Sequence, residues 1–238
     1  MIICPVCKTE NQHLAINCSQ CGGYIQQKIE TLDLFSIAWL LIENPKKAFH
    51  RIAIATHKNY ITFLSAIAGI GLLFSSFWFY KIGDHISSLL QLLGIGISGG
   101  LIFGNIFMLL LSIIVWLILK IEKRSVKFRQ VFAVSAYSSI PIIISVIVLL
   151  PIEILTFGTY YFATNPSPYL LKPFSYIVLL GLDLLFGLWS LILLLIGINK
   201  LRDGGWIRAL IIEIVSLGIL LSCIHYCFTN LVNHIYGS

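Results

Sequence analysis

The chain has 238 residues, of which 58% are hydrophobic and only 11% charged. Soluble domains average about 45–50% and about 25% in the same classes, and a soluble fold of this composition would expose large apolar patches and aggregate. The formal charge of +6 belongs to residues flanking apolar runs, which points to a membrane surface and away from nucleic acid.

The first residues, MIICPVC, have no basic region and no apolar core of signal-peptide length, so no cleavable export signal is expected. They open a pair of Cys-x-x-Cys turns, Cys4/Cys7 and Cys18/Cys21, with ten residues between the turns. Two such turns offer four thiolates to one tetrahedral ion. Pro5 stiffens the first turn, and Gly22-Gly23 let the chain fold back after the second. The expectation is a zinc ribbon over residues 1–25, with the zinc structural because four protein ligands leave no open position. His13 lies between the turns and is not needed as a ligand. Iron also suits four sulfurs. The competing arrangement is two disulfides, which require an oxidising compartment.

Residues 26–58 read as an amphipathic interfacial linker. Leu32 to Ile42 form an apolar segment too short to span, and Asn44-Pro45 has the chemistry of an N-cap followed by a first helical residue. The helix starting there carries Lys46, Lys47, Arg51 and Lys58 beside Ala48, Phe49 and Ile52, a pattern suited to an anionic leaflet.

A hydrocarbon core of about 30 Å takes about 20 apolar residues per helix. Five stretches qualify within residues 59–230: 60–80, 97–119, 131–157, 174–198 and 206–229. The fold class expected is an all-α polytopic membrane protein of five transmembrane helices with a small N-terminal ribbon. Residues 86–97 add apolar length to the second stretch, so a break is expected near Gly94–Gly100. Gly96, Gly100 and Gly104 repeat at four-residue spacing and form a face for close helix packing, within the chain or between copies. Pro141 and Pro151 are expected to kink the third stretch. With the N-terminus cytoplasmic, all of the 16 basic residues except Lys81 and Lys172 fall on the cytoplasmic side, among them Lys123, Arg124, Lys127 and Arg129. The charge rule therefore places the N-terminus inside and the C-terminus outside.

Glu153, Asp183 and Glu213 fall within spans, where a charge costs at least about 2.5–3.5 kcal/mol. Each must face protein or water. One reading is packing, with a protonated or hydrogen-bonded carboxyl locking helices together against Ser135, Ser138 or Ser139. The other is a polar path for ions, protons or lipid headgroups. Cys223, His225 and Cys227 do not share a face well enough to form a metal site. No catalytic triad order, phosphate loop or nucleotide fingerprint is found, so an enzyme is the least supported class.

NPKKAF before the first span, KRSVKFRQVFAVSAYSSIP leading into the third, and LWSLILLLIGINKL followed by a basic start to the fifth together resemble the Yip family of Ypt/Rab-interacting proteins, in its prokaryotic branch. The resemblance covers about residues 32–230. It implies five spans in a prokaryotic inner membrane. Eukaryotic members are linked to Rab GTPases through a segment carrying Asp-Leu-Tyr-Gly-Pro, for which this chain has ENPKKAF. The resulting expectation is a non-enzymatic scaffold or adaptor, with an unidentified cytosolic protein and anionic lipids as partners and a homo-oligomer as a further possibility. A transporter, channel or lipid-translocating protein is the alternative.

Overall fold

The computed structural model describes residues 2–12, 15–25, 32–86 and 88–236, with side chains described up to residue 226. His13 lies outside the described residues, as does the side chain of Cys227.

The head holds a two-stranded hairpin of β1 (Ile2–Ile3) and β2 (Glu10–Asn11), antiparallel with Ile2 opposite Asn11. Two short helices follow. In α1 (Leu34–Glu43) the Asp33 carboxylate accepts from the Ser36 N–H at 2.9 Å. In α2 (Pro45–Ile54) the Asn44 side chain accepts from the Lys47 N–H at 3.1 Å, and Pro45 takes the first helical position, where its missing N–H costs nothing.

Five helical segments are long and apolar enough to cross a membrane. They are α3 (Ile61–Tyr80); α4 (Leu89–Ile121); α5 (Phe128–Ser138) joined to α6 (Ile140–Phe157); α8 (Pro173–Leu201), preceded by the single turn α7 (Pro168–Leu171); and α9 (Trp206–Tyr236).

The expected break near Gly94–Gly100 is absent: α4 is one helix of 33 residues. In lipid every freed peptide group costs several kcal/mol, so glycine alone does not interrupt a helix there. These glycines instead admit α3. A Cβ on Gly96 would run into the Phe74 ring, one on Gly100 into the Ile70 backbone, and one on Gly104 into the Ser65 carbonyl and Gly69. The contact is within the chain. At 1.5 Å per residue α4 is about 50 Å long and overshoots the hydrocarbon core.

The third crossing does break, but at Ser139 between α5 and α6. Pro141 falls in the first turn of α6, where it is tolerated, and Pro151 sits inside α6 without ending it.

The main core includes α1 and α2 as well as the bundle. Ile37, Leu41, Ala48, Phe49 and Ile52 are buried in one cluster with Val115, Leu119, Val134 and Ile198. The apolar face of α2 is therefore covered by protein, where the sequence suggested a helix lying on lipid. At that end, called the near end below, Gln130 Nε2 donates to the Ala53 carbonyl at 3.0 Å. A second cluster, rich in aromatics, gathers Phe74, Phe77, Phe157, Tyr161 and Phe162 at the opposite end.

Candidate functional site

The four cysteines of the head converge. Their Sγ atoms all lie within 4.8 Å of one another, with Cys4 to Cys21 at 3.7 Å and Cys7 to Cys18 at 3.4 Å. A disulfide needs about 2.05 Å, so all four thiols are free. A tetrahedron with Zn–S bonds of about 2.3 Å has edges of about 3.8 Å, and the cluster fits it. Backbone N–H groups of Cys21, and then of Gln20, favour the thiolate of Cys18 and pull it down to about 6. Asn11 Nδ2 adds a donor to Cys18 Sγ at 3.5 Å, and Asn11 Oδ1 fixes the second turn by accepting from the Ser19 N–H at 2.9 Å. Thr9, donating to Gln20, joins the two turns across the hairpin. These four cysteines can hold a metal ion.

The intramembrane acids fall in two places. Glu153 is buried, and Tyr161 donates to it at 2.9 Å. Asp183, half-buried on α8, faces Glu153 within hydrogen-bonding reach and accepts from Ser145 Oγ at 2.5 Å. Of the three serines expected to hold a carboxyl, two are committed elsewhere: Ser138 Oγ donates to the Ser135 carbonyl and Ser139 Oγ to the Ala136 carbonyl. Ser135 Oγ has no partner among the described residues. Ser145, six residues further along the crossing, is the hydroxyl that reaches Asp183, and Tyr161 is the second group the sequence did not suggest. Their signal was weak, because a lone serine or tyrosine in an apolar run resembles ordinary filling.

Glu213 stands apart on α9. It is buried, and its Oε2 has no hydrogen-bond partner among the described residues. His225 meets Tyr80, with Nδ1 to Oη 2.7 Å, while Cys223 is exposed and free.

The basic residues are not equivalent. Lys47, Lys123, Arg124, Lys127 and Arg129 are exposed and Arg51 is half-buried, while Lys46 lies over the Trp206 ring. Lys58 does not belong with them. It is buried, and its ammonium donates to the carbonyls of Ile52, Ala53 and Ala55, closing the C-terminal end of α2. A lysine six residues beyond the Ile52 carbonyl can fold back onto those orphan acceptors, which its place in a basic run concealed. Arg202 is likewise buried and paired to Glu122, a bond that joins the near ends of α4 and α8.

Comparison with known proteins gives one positive result. No curated protein and no solved structure matches the chain. The Yip1 domain matches residues 39–226, from within α1 to the last described side chain of α9. That stretch holds all five crossings and leaves the four-thiol head outside it, so the chain is a multi-pass membrane protein that belongs to the Yip1 domain family.

Proposed function

We propose that this protein is a non-enzymatic scaffold of a prokaryotic inner membrane, with its four-thiol head on the cytosolic side recruiting a protein partner. The observation that carries the reading is the closed cysteine cluster, with four sulfurs mutually within 4.8 Å. Such a donor set supports zinc held for structure, because no coordination position is left for a substrate. Cys4, Cys7, Cys18 and Cys21 would hold the ion, which supplies folding energy to a module too small to have a core of its own.

The bundle supports the same reading. Ser65, Ser112, Ser138 and Ser216 donate to carbonyls of their own helices, and Ser139 at the joint donates to the Ala136 carbonyl of α5, the behaviour of hydroxyls buried in packing. Lys123, Arg124, Lys127 and Arg129, exposed on the loop into the third crossing, suit an anionic leaflet. The test is affinity capture from native membranes with the full chain and with residues 1–25 removed. Capture of one protein that depends on the head, with the bundle still folded, supports the scaffold. An identical set of captured proteins overturns it.

A second reading has its own observation. Two facing carboxyls, Glu153 and Asp183, with Asp183 only half-buried, form the kind of group that ion and proton paths use. Liposome flux that is present in the parent and lost in Asp183→Asn would establish transport, and flux absent from both would dismiss it.

A further inference from the structure

The near end of the bundle contains a cleft of about 390 Å³ between the first turn of α2, the last turn of α8 and the start of α9. Lys46, Asn199, Lys200, Asp203 and Trp206 line it. Three of the five are charged, yet among the described residues none of these three forms an ion pair. Lys46 Nζ stands 5.7 Å above the Trp206 ring centroid. Asn199 Oδ1 is buried and has no hydrogen-bond partner among the described residues.

The cleft is also held in shape. Arg202, anchored by Glu122, donates through Nη1 to the carbonyls of Gly204 at 3.2 Å and Gly205 at 2.9 Å. The Gly204 N–H in turn bonds the Asn199 carbonyl at 3.1 Å. The loop presenting Asp203 therefore has little freedom to close over the cavity. Two cations and one carboxylate face a space that already exists without a ligand.

That donor set matches a phosphate linked to an ammonium group. The lysines complement the phosphate, while Asp203 accepts from the ammonium N–H groups. The cleft lies where two membrane crossings end, and Trp206 is the first residue of α9, the headgroup depth that tryptophan favours. We propose that this cleft binds the phosphoethanolamine headgroup of a leaflet phospholipid. Lys46 and Lys200 hold the phosphate, and Asp203 holds the ammonium. The site is independent of the scaffold reading and of any metal in the head.

Native mass spectrometry of the delipidated full chain tests it, with dioctanoyl phosphatidylethanolamine, phosphatidylcholine and phosphatidylglycerol, glycerophosphoethanolamine and inorganic phosphate as probes. The ethanolamine lipid is expected to saturate at one equivalent and to bind about tenfold more tightly than the choline lipid, which has no N–H to give. Lys46→Gln with Lys200→Gln should weaken both lipids. Asp203→Asn, which keeps a residue tolerant of the left-handed φ of 58°, should remove the preference for ethanolamine over choline. Equal binding of these two lipids by the parent overturns the site, as does an unchanged double variant. Tighter binding of phosphatidylglycerol than of the ethanolamine lipid overturns the role of Asp203. Soluble glycerophosphoethanolamine or inorganic phosphate binding as tightly as the lipid overturns the leaflet as source.

Discussion

Arg202 Nε donates to Glu122 Oε2 at 2.7 Å, so the only ion pair among the described residues joins two helix ends 80 positions apart in sequence. Both helices end there, and both side chains lie at their C-terminal boundaries. The arginine is buried and the carboxylate partly open. Removing the carboxylate leaves the guanidinium with two glycine carbonyls and an uncompensated charge.

Glu122→Ala is therefore expected to destabilise the bundle by about 2–3 kcal/mol, short of the full effect of a sealed pair because Glu122 is partly solvated. Thermal melts in detergent would show it. Arg202→Met combined with Glu122→Ala should recover part of the loss, and a double variant no better than Glu122→Ala alone would contradict this account.

Close contact between α3 and α4 predicts a position-dependent response to alanine. Gly104→Ala places a methyl against the Ser65 carbonyl and Gly69, an overpacking expected to cost about 1–3 kcal/mol. Gly94→Ala, whose methyl would meet nothing within 4 Å, should stay within about 0.5 kcal/mol of the parent. Equal melting shifts for the two variants would rule out the packing face.

Lys58 predicts a pH dependence. Burial, and after it the positive charge of Arg129, push its ammonium down from 10.5 to about 8. In the unfolded chain it keeps its proton up to its ordinary value. Between those two values unfolding takes up a proton, so stability should rise with pH across the window and be flat in this contribution below it. Lys58→Met removes the slope and also leaves the Ile52 and Ala55 carbonyls without their side-chain donor and the Ala53 carbonyl with Gln130 alone, lowering the melting midpoint throughout. A slope that survives in the variant assigns it to another group.

Metal content should be one zinc per chain by elemental analysis. Cys4→Ser or Cys18→Ser should remove it. Chelation should make residues 1–25 protease-sensitive while leaving the melting of the bundle unchanged. Loss of the bundle transition on chelation would mean that head and bundle fold as one unit.

How far the sequence shows the structure depends on the range of the interaction. Asn44-Pro45 gave the start of α2 because capping is a local exchange between one side chain and the next turn. The five crossings were readable because lipid imposes a length. The two Cys-x-x-Cys turns were readable because metal chemistry imposes a spacing. Glycine at 94–100 misled, since its preference for bends in water does not survive where unpaired peptide groups have no solvent to bond. Asp183 reaches Ser145 through the packing of α6 against α8, and no spacing within one helix encodes which of several serines will face it. Lys58 and Arg202 sit among basic residues that face outward, and only the fold shows that they turn in.

The Ser139 interruption has a consequence for biogenesis. Ser190, on the fourth crossing, donates its hydroxyl to the Ser138 carbonyl at 2.7 Å, beside the joint between α5 and α6. Inserted alone, the third crossing would present that joint to hydrocarbon without its cover. The third and fourth crossings are thus suited to leave the translocon as a hairpin, with the later segment completing the earlier one.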